Sequence, residues 1–345
     1  MNNFRKTHKT LSFMHNYRLS VFVVILITVF VGKHYFDANY EIINKHLQNP
    51  QQNTSVIEKN NTVTSRTPTN TKLLTGLVKR LVKKSPKKEK PVVTSPAVEP
   101  SIKQPKNWAF YIKNVDLAKV RNSKVDLIVT DVGSKTIPTF SRKDIQRVKI
   151  SGKTVIAYLS LGSAETYRSY WKEEWNNFET RPSWIGPSNK LWKGNFHITQ
   201  LLNPEWKKIA FKMIDNVMNH GFSGILVSGL DAPDSVEFLK EVHDYVKKRN
   251  KKFLIFVQNF IDPRVVDLVD GVVQENIFYN YGLREYSDTQ EILKKIKFFV
   301  DRKKIILGVS YTSGDVWAKV KRLMKENRIV PYAAPLLLDK LKSDQ

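Results

Sequence analysis

The chain has 345 residues, a formal net charge of +25 and no cysteine. Disulfides, thiolate metal sites and cysteine nucleophiles are therefore excluded, although missing cysteine does not reveal the redox compartment. A hydrophobic fraction of 41% is enough for a sizeable core, and the basic excess suits anionic surroundings without naming one.

The charge is spread unevenly. Residues 1–106 hold 18 Lys/Arg against 5 Asp/Glu, whereas 107–345 hold 39 against 27, a net of +12. Arg5, Lys6, Lys9 and Arg18 form a basic n-region over 1–18, followed by an uncharged apolar run from Leu19 to Gly32. This is the pattern of an export signal. The run has 14 residues, shorter than the roughly 20 that span a bilayer comfortably. No small-x-small cleavage site follows it, the next residues being Lys33-His34-Tyr35-Phe36. We read 19–32 as an uncleaved membrane anchor with a cytoplasmic N-terminus. A cleaved signal peptide is the alternative, and a buried helix of a soluble domain is a third reading. Either export route places the rest of the chain outside the cytoplasm, facing the periplasm or the exterior.

Residues 33–106 are rich in Asn, Gln, Thr, Lys and Pro, the composition expected of a disordered basic linker. Within it, Leu73, Leu77 and Leu81 share a helical spacing beside Lys79, Arg80, Lys83 and Lys84. A basic amphipathic helix there would suit an anionic membrane or an acidic polymer, and a solvated charge run is the plainer reading.

From Asn107 onward, apolar runs alternate with amphipathic stretches. Strands are expected at Trp108–Tyr111, Leu127–Asp131, Val155–Leu161, Ile225–Ser228, Phe253–Gln258, Val272–Glu275, Ile305–Tyr311 and Ile329–Ala333. Helical spacing covers Arg142–Ile150, Trp206–His220, Val236–Lys248, Glu291–Val300 and Val316–Glu326, with Gly221 at the C′ position of the second. Eight strands with helices between them predict an α/β fold, a (β/α)8 TIM barrel over 107–345, with a doubly wound open sheet as runner-up. Thr166–Asn203 is too long for one connection and is read as a loop over the active face with an extra strand near Phe196–Thr199. Its Trp171, Trp175, Trp184 and Trp192 either stack on sugar rings or simply pack the loop.

In parallel α/β folds, chemistry is done at the C-terminal ends of the strands. Tyr111, Asp131, Tyr158, Ser160, Glu165, Ser228, Asp231, Gln258, Asn259, Glu275 and Tyr311 all fall at or just beyond those ends. Carboxylates there are costly to bury without a role, so Asp131, Asp231 and Glu275 are the catalytic candidates. Taken singly, Asp131 can cap a turn and Glu165 can open a helix. No histidine pair has metal-ligand spacing, and neither a Gly-rich phosphate loop nor a G-x-S-x-G elbow is present. No cofactor or metal is therefore expected. A nucleic-acid partner would rest on charge alone and is not expected either.

The motifs AYLSLGSAETYRSYW (157–171), PSWIGPSNKLWKGNF (182–196), NPEW (203–206) and GFSGILVSGLDA (221–232) together carry a resemblance. They resemble glycoside hydrolase family 114, the endo-α-1,4-polygalactosaminidase-like TIM-barrel proteins, and VQNF, VVQENIFY and VPYAAPLLLD extend the likeness to about 107–340. The resemblance implies hydrolysis of an amino-sugar polysaccharide or oligosaccharide by two carboxylic residues at strand ends. One of them falls on Glu275. Asp131, Glu165 and the Gln258-Asn259 pair match family positions, with Tyr111, Tyr158 and Tyr311 expected as cleft wall. Asp231 matches the second aspartate of a family segment L-D-x-x-D. The first, an expected catalytic carboxylate, is replaced by Ser228, and Ser310 stands where the family often has aspartate. Either Asp231 or Asp131 supplies the missing group, or the barrel keeps a sugar-binding cleft with little hydrolysis.

Overall fold

A computed structural model describes residues 103–133, 140–190, 192–280, 284–285 and 288–342. The expected n-region and anchor lie outside the described residues, as does nearly all of the linker.

Eight parallel strands form one sheet in chain order. They are β1 (Trp108–Phe110), β2 (Leu127–Asp131), β3 (Thr154–Ser160), β4 (Gly224–Ser228), β5 (Leu254–Gln258), β6 (Gly271–Glu275), β7 (Ile305–Ser310) and β8 (Val330–Ala333). All eight coincide with the expected runs. Most of their residues are buried, as strands covered on both faces must be. The first and last strands meet without a hydrogen-bonded ladder. Instead, Trp108 Nε1 donates to the Val330 carbonyl at 2.9 Å, and the Trp108 and Tyr332 rings lie 5.4 Å apart. Just beyond the strands, the Ile112 and Lys113 N–H groups donate to the Leu338 carbonyl at 3.0 and 3.2 Å, so the (β/α)8 ring is joined at this seam by side chains and one backbone acceptor instead of a ladder.

Helices α1 (Leu117–Asn122), α2 (Arg142–Ile150), α3 (Pro204–Asn219), α4 (Ser235–Arg249), α5 (Thr289–Asp301) and α6 (Gly314–Glu326) fill the connections. Their starts follow from local chemistry. Ser141 and Asp144 form a capping box on α2, and Asn203 caps α3 with Pro204 in its first turn. Gly221, at φ 81°, ends α3 in a Schellman motif: its N–H reaches the Met218 carbonyl, and that of Phe222 reaches Val217. The chain thereby turns straight into β4. Between β5 and β6, the connection contains only a short 3₁₀ helix, Pro263–Leu268.

The long segment after β3 is structured. Ser163–Glu165, Asn195–Ile198 and Ile185–Ser188 make a three-stranded antiparallel sheet at the C-terminal end of the barrel. The central strand matches the expected extra one. Trp171, Trp175 and Trp184 are buried and meet in sequence, with ring centroids 5.5 and 5.4 Å apart, and Trp184 lies 5.5 Å from Trp206 on α3. These indoles pack the insertion onto the barrel. Only Trp192, 49% exposed, is left over the cleft.

Candidate active site

The strand register brings the chemistry together. Asp131 pairs with Tyr158 across β2 and β3, Ser160 with Ser228 across β3 and β4, and Glu275 with Val309 across β6 and β7. These ends open into a cleft of about 350 Å³. It is lined by Asp131, Tyr158, Ser160, Glu165, Ser228, Asp231, Gln258, Asn259, Glu275 and Tyr311, ten of the eleven strand-end residues expected there. Tyr111 is the exception. Side chains alternate across a strand, so Phe110 and Ile112 face the cleft while Tyr111 is buried on the other side. Its hydroxyl donates to the Asn114 carbonyl and accepts from the Asp116 N–H, so it serves the turn into α1 instead of the cleft wall.

Glu275 is held by three neutral donors. The Tyr311 hydroxyl donates to Oε1, while Gln258 Nε2 at 3.0 Å and Asn259 Nδ2 at 2.8 Å donate to Oε2. The Glu275 N–H in turn donates to Asn259 Oδ1 at 2.9 Å. Asn259 sits at φ 53°, a conformation asparagine tolerates better than most residues, and this aims its amide back at the glutamate. The carboxylate is thus fixed in one orientation, and among the described residues it has no ion-pair partner.

Asp131 and Glu165 are in a different state. Both are paired to Arg168, whose side chain is only 7% exposed. Its Nη1 and Nη2 grip Asp131 at 2.6 and 3.1 Å, and Nε meets Glu165 Oε2 at 2.6 Å. The Val132 and Gly133 N–H groups also donate to Asp131, and the Tyr167 hydroxyl donates to Glu165 at 2.6 Å. Burial pushes the Glu165 carboxyl above the usual range, against the downward pull of Arg168. Burial also works against the guanidinium's charge, but the two carboxylates more than offset it and hold Arg168 cationic. Arg168 was not among the expected site residues. Its one signal in the sequence is its place three residues after Glu165, and only the fold shows that both are buried.

Ser228 accepts a hydrogen bond from the Tyr158 hydroxyl at 3.2 Å. Burial raises the pKa of that hydroxyl, so it stays protonated as a donor. The two strand ends touch at glycines: the Gly162 N–H donates to the Ser228 carbonyl at 2.9 Å. A Cβ on Gly162 would stand 1.6 Å from the Gly229 carbonyl oxygen. Gly229 itself has φ 80°, which turns the chain outward towards Asp231. Asp231 is exposed at the cleft edge, and among the described residues its carboxylate has no hydrogen-bond or ion-pair partner. Ser310 points away from the chemistry; it is buried and shares a 2.9 Å hydrogen bond with Thr312.

A model of glycoside-hydrolase family GH114 matches residues 89–342. The chain is similar to an uncharacterized protein of Thermotoga maritima, 29% identical over 262 residues that make up 66% of this chain and 80% of the relative. A second relative, from Methanocaldococcus jannaschii, is 31% identical over 232 residues, 59% of this chain and 66% of its own length. Among solved structures it resembles the glycoside hydrolase domain of PelA from Pseudomonas aeruginosa, with a TM-score of 0.54 and 16% identity over 69% of this chain and 98% of that one. It also resembles Aspergillus fumigatus Ega3, solved in complex with galactosamine, with a TM-score of 0.51 and 16% identity over 69% of this chain and 93% of that one. At such identities the structural likeness supports the barrel fold.

Proposed function

Because the chain belongs to glycoside-hydrolase family GH114, we propose that its cleft takes an amino-sugar polysaccharide and hydrolyses it with Glu275 and Asp231. The observation that carries the substrate class is a reversal of charge. The chain bears +25 overall, yet among the described residues its cleft is lined by four carboxylates (Asp131, Glu165, Asp231 and Glu275) and no lysine or arginine, the single Arg168 behind Asp131 and Glu165 leaving the group net negative. Such a lining concentrates a polymer with protonated amines and repels an anionic one. Ega3 was solved with galactosamine bound, which supports the same class here.

Glycoside hydrolysis needs a carboxyl to protonate the leaving oxygen and a second to act as nucleophile or to activate water. Glu275 takes the first role, its orientation set by Tyr311, Gln258 and Asn259. Of the other cleft carboxylates, Asp131 and Glu165 are committed to Arg168. Asp231 takes the second role, because it has no such cation and sits on the loop that leaves β4. Asp131 and Glu165, sharing one arginine, then contribute a net negative potential to the cleft floor.

A second reading is favoured by Ser228. It occupies the strand end from which a family aspartate would project, and among the described residues its side chain is hydrogen-bonded to Tyr158 alone. A serine without a base beside it is a poor nucleophile and carries no charge to stabilise an oxocarbenium ion. On that reading the barrel binds the glycan with little turnover.

We further propose export and membrane attachment through Leu19–Gly32, supported by the preceding basic residues. Among the described residues no helix is long and apolar enough to cross a membrane.

The test is hydrolysis of galactosamine oligomers, with and without N-acetyl groups, by the unaltered chain and by Ser228→Asp. Turnover of the free-amine oligomer by the unaltered chain is the expected result. Turnover only in Ser228→Asp would instead establish the binding barrel. A preference for the N-acetylated oligomer would overturn the charge argument.

A further inference from the structure

The cleft accounts for one end of the barrel. At the opposite end, where every strand begins, the charge has the other sign. Lys106 precedes β1, Lys124 precedes β2, Lys251 and Lys252 precede β5, and Arg328 precedes β8. All five are exposed, and none has an ion-pair partner among the described residues. The carboxylates on the same end are already engaged. Asp126 accepts the N–H groups of Lys106 and Asn107, Asp270 is paired with Lys247 at 3.0 Å, and Asp267 is paired with Arg302 at 3.6 Å.

Helix dipoles do not explain these cations. Helices of a parallel barrel end at this face, and basic side chains in their last turns are favoured, as with Lys247, Lys248 and Arg249 on α4. Lys124, Lys251, Lys252 and Arg328 lie beyond the helix ends, in the turns, and Lys106 leads directly into β1. They are also spread around the barrel, since β5 is four strands along the ring from β1. A strand-like polymer is matched by a stripe or groove of charge, whereas charges dispersed over a broad end match a plane. The chain also enters the barrel at this end, through Lys106 and Asn107.

We propose that this basic end is a docking face for an anionic lipid surface, which holds the cleft pointing away from the membrane. Each cation brought to an anionic bilayer strengthens association by about fivefold at low salt, so five of them give a strong but salt-sensitive orienting force. The membrane itself comes from the proposed attachment; the docking does not depend on whether the cleft hydrolyses or only binds.

The experiment is lysine acetylation of the full chain, followed by mass spectrometry, on vesicles of phosphatidylcholine with and without phosphatidylglycerol. Lys124, Lys251 and Lys252 should react several-fold more slowly on the phosphatidylglycerol vesicles, whereas Lys113 and Lys193, beyond β1 and in the insertion near the cleft, should be unchanged. High salt should erase the difference. The triple variant Lys124→Glu, Lys251→Glu, Lys252→Glu should leave Lys106 equally reactive on both vesicles while galactosamine-oligomer binding is retained. Equal reactivity of the unaltered chain on both vesicles would overturn the proposal, as would failure to associate with vesicles at all. Protection by soluble polyphosphate but not by phosphatidylglycerol would overturn it too and assign the face to an acidic polymer.

Discussion

Replacing Arg168 by methionine tests the electrostatic account of the cleft. The substitution keeps much of the apolar stem and removes the charge that serves both Glu165, with a side chain 3% exposed, and Asp131, 24% exposed. Stripping one partner from a buried ion pair costs about 3–5 kcal/mol. Asp131 is partly hydrated, so most of the loss falls on Glu165, and about 3 kcal/mol near pH 8 is expected. The pH dependence has a definite sign. Burial already holds the Glu165 carboxyl above its ordinary value, and loss of the arginine removes the opposing pull and raises it further. A carboxyl raised in the folded state contributes stability below its unfolded pKa and loses it as pH rises through the folded pKa. The deficit of Arg168→Met should therefore be small near pH 5 and grow towards pH 8. Urea titrations followed by the fluorescence of the buried tryptophans measure it at both pH values, and Glu165→Gln added to Arg168→Met should recover much of the loss at pH 8. A deficit below about 1 kcal/mol, or one that does not change with pH, would refute the reasoning.

Two further outcomes are expected. Glu275→Gln should abolish turnover while leaving oligomer binding within a few-fold, as measured by calorimetry beside the hydrolysis assay, because general acid–base catalysis alone contributes about 10²–10⁴-fold. Unchanged turnover would remove Glu275 from the mechanism. Gly162→Ala should destabilise the barrel by at least 2 kcal/mol in urea, since its methyl would stand 1.6 Å from a backbone oxygen and the ends of β3 and β4 would have to separate. A wild-type midpoint would show that this contact is easily relaxed.

The barrel was legible in the sequence because six of its eight strands are apolar runs closed by a polar residue, and parallel topology sends those closing residues to one end. This rule located Asp131, Ser228, Gln258 and Glu275 without coordinates. It failed at Tyr111 because β1 has only three residues, too few to show which alternate side chains face inward. Helix α1 was illegible for a similar reason: it has six residues and one buried side chain, Val120, so it has no apolar period. In the insertion, Ile185–Ser188 contains Gly186 and Pro187, residues that argue against a strand. The largest gap was Arg168. Arginine in a tryptophan-rich loop suggests surface, and its pairing with Asp131 spans 37 positions that no local pattern connects. That pairing shaped the proposed mechanism, in which Asp231 is placed ahead of Asp131 as the second carboxylate.

The seam between β1 and β8 sets where the ring yields. Every other neighbouring pair of barrel strands must break a row of backbone hydrogen bonds to part, whereas here an indole N–H, ring contacts and the Leu338 carbonyl beyond the strands span the gap. Amide protons of β1 on that side should exchange with solvent before those of β3 or β4, and the terminal strand β8 should be the first to detach under force. The cleft carboxylates sit on β2, β6 and in the segments after β3 and β4, so none is carried by either strand of the seam. The ring can therefore breathe at its join while the acid groups keep their spacing.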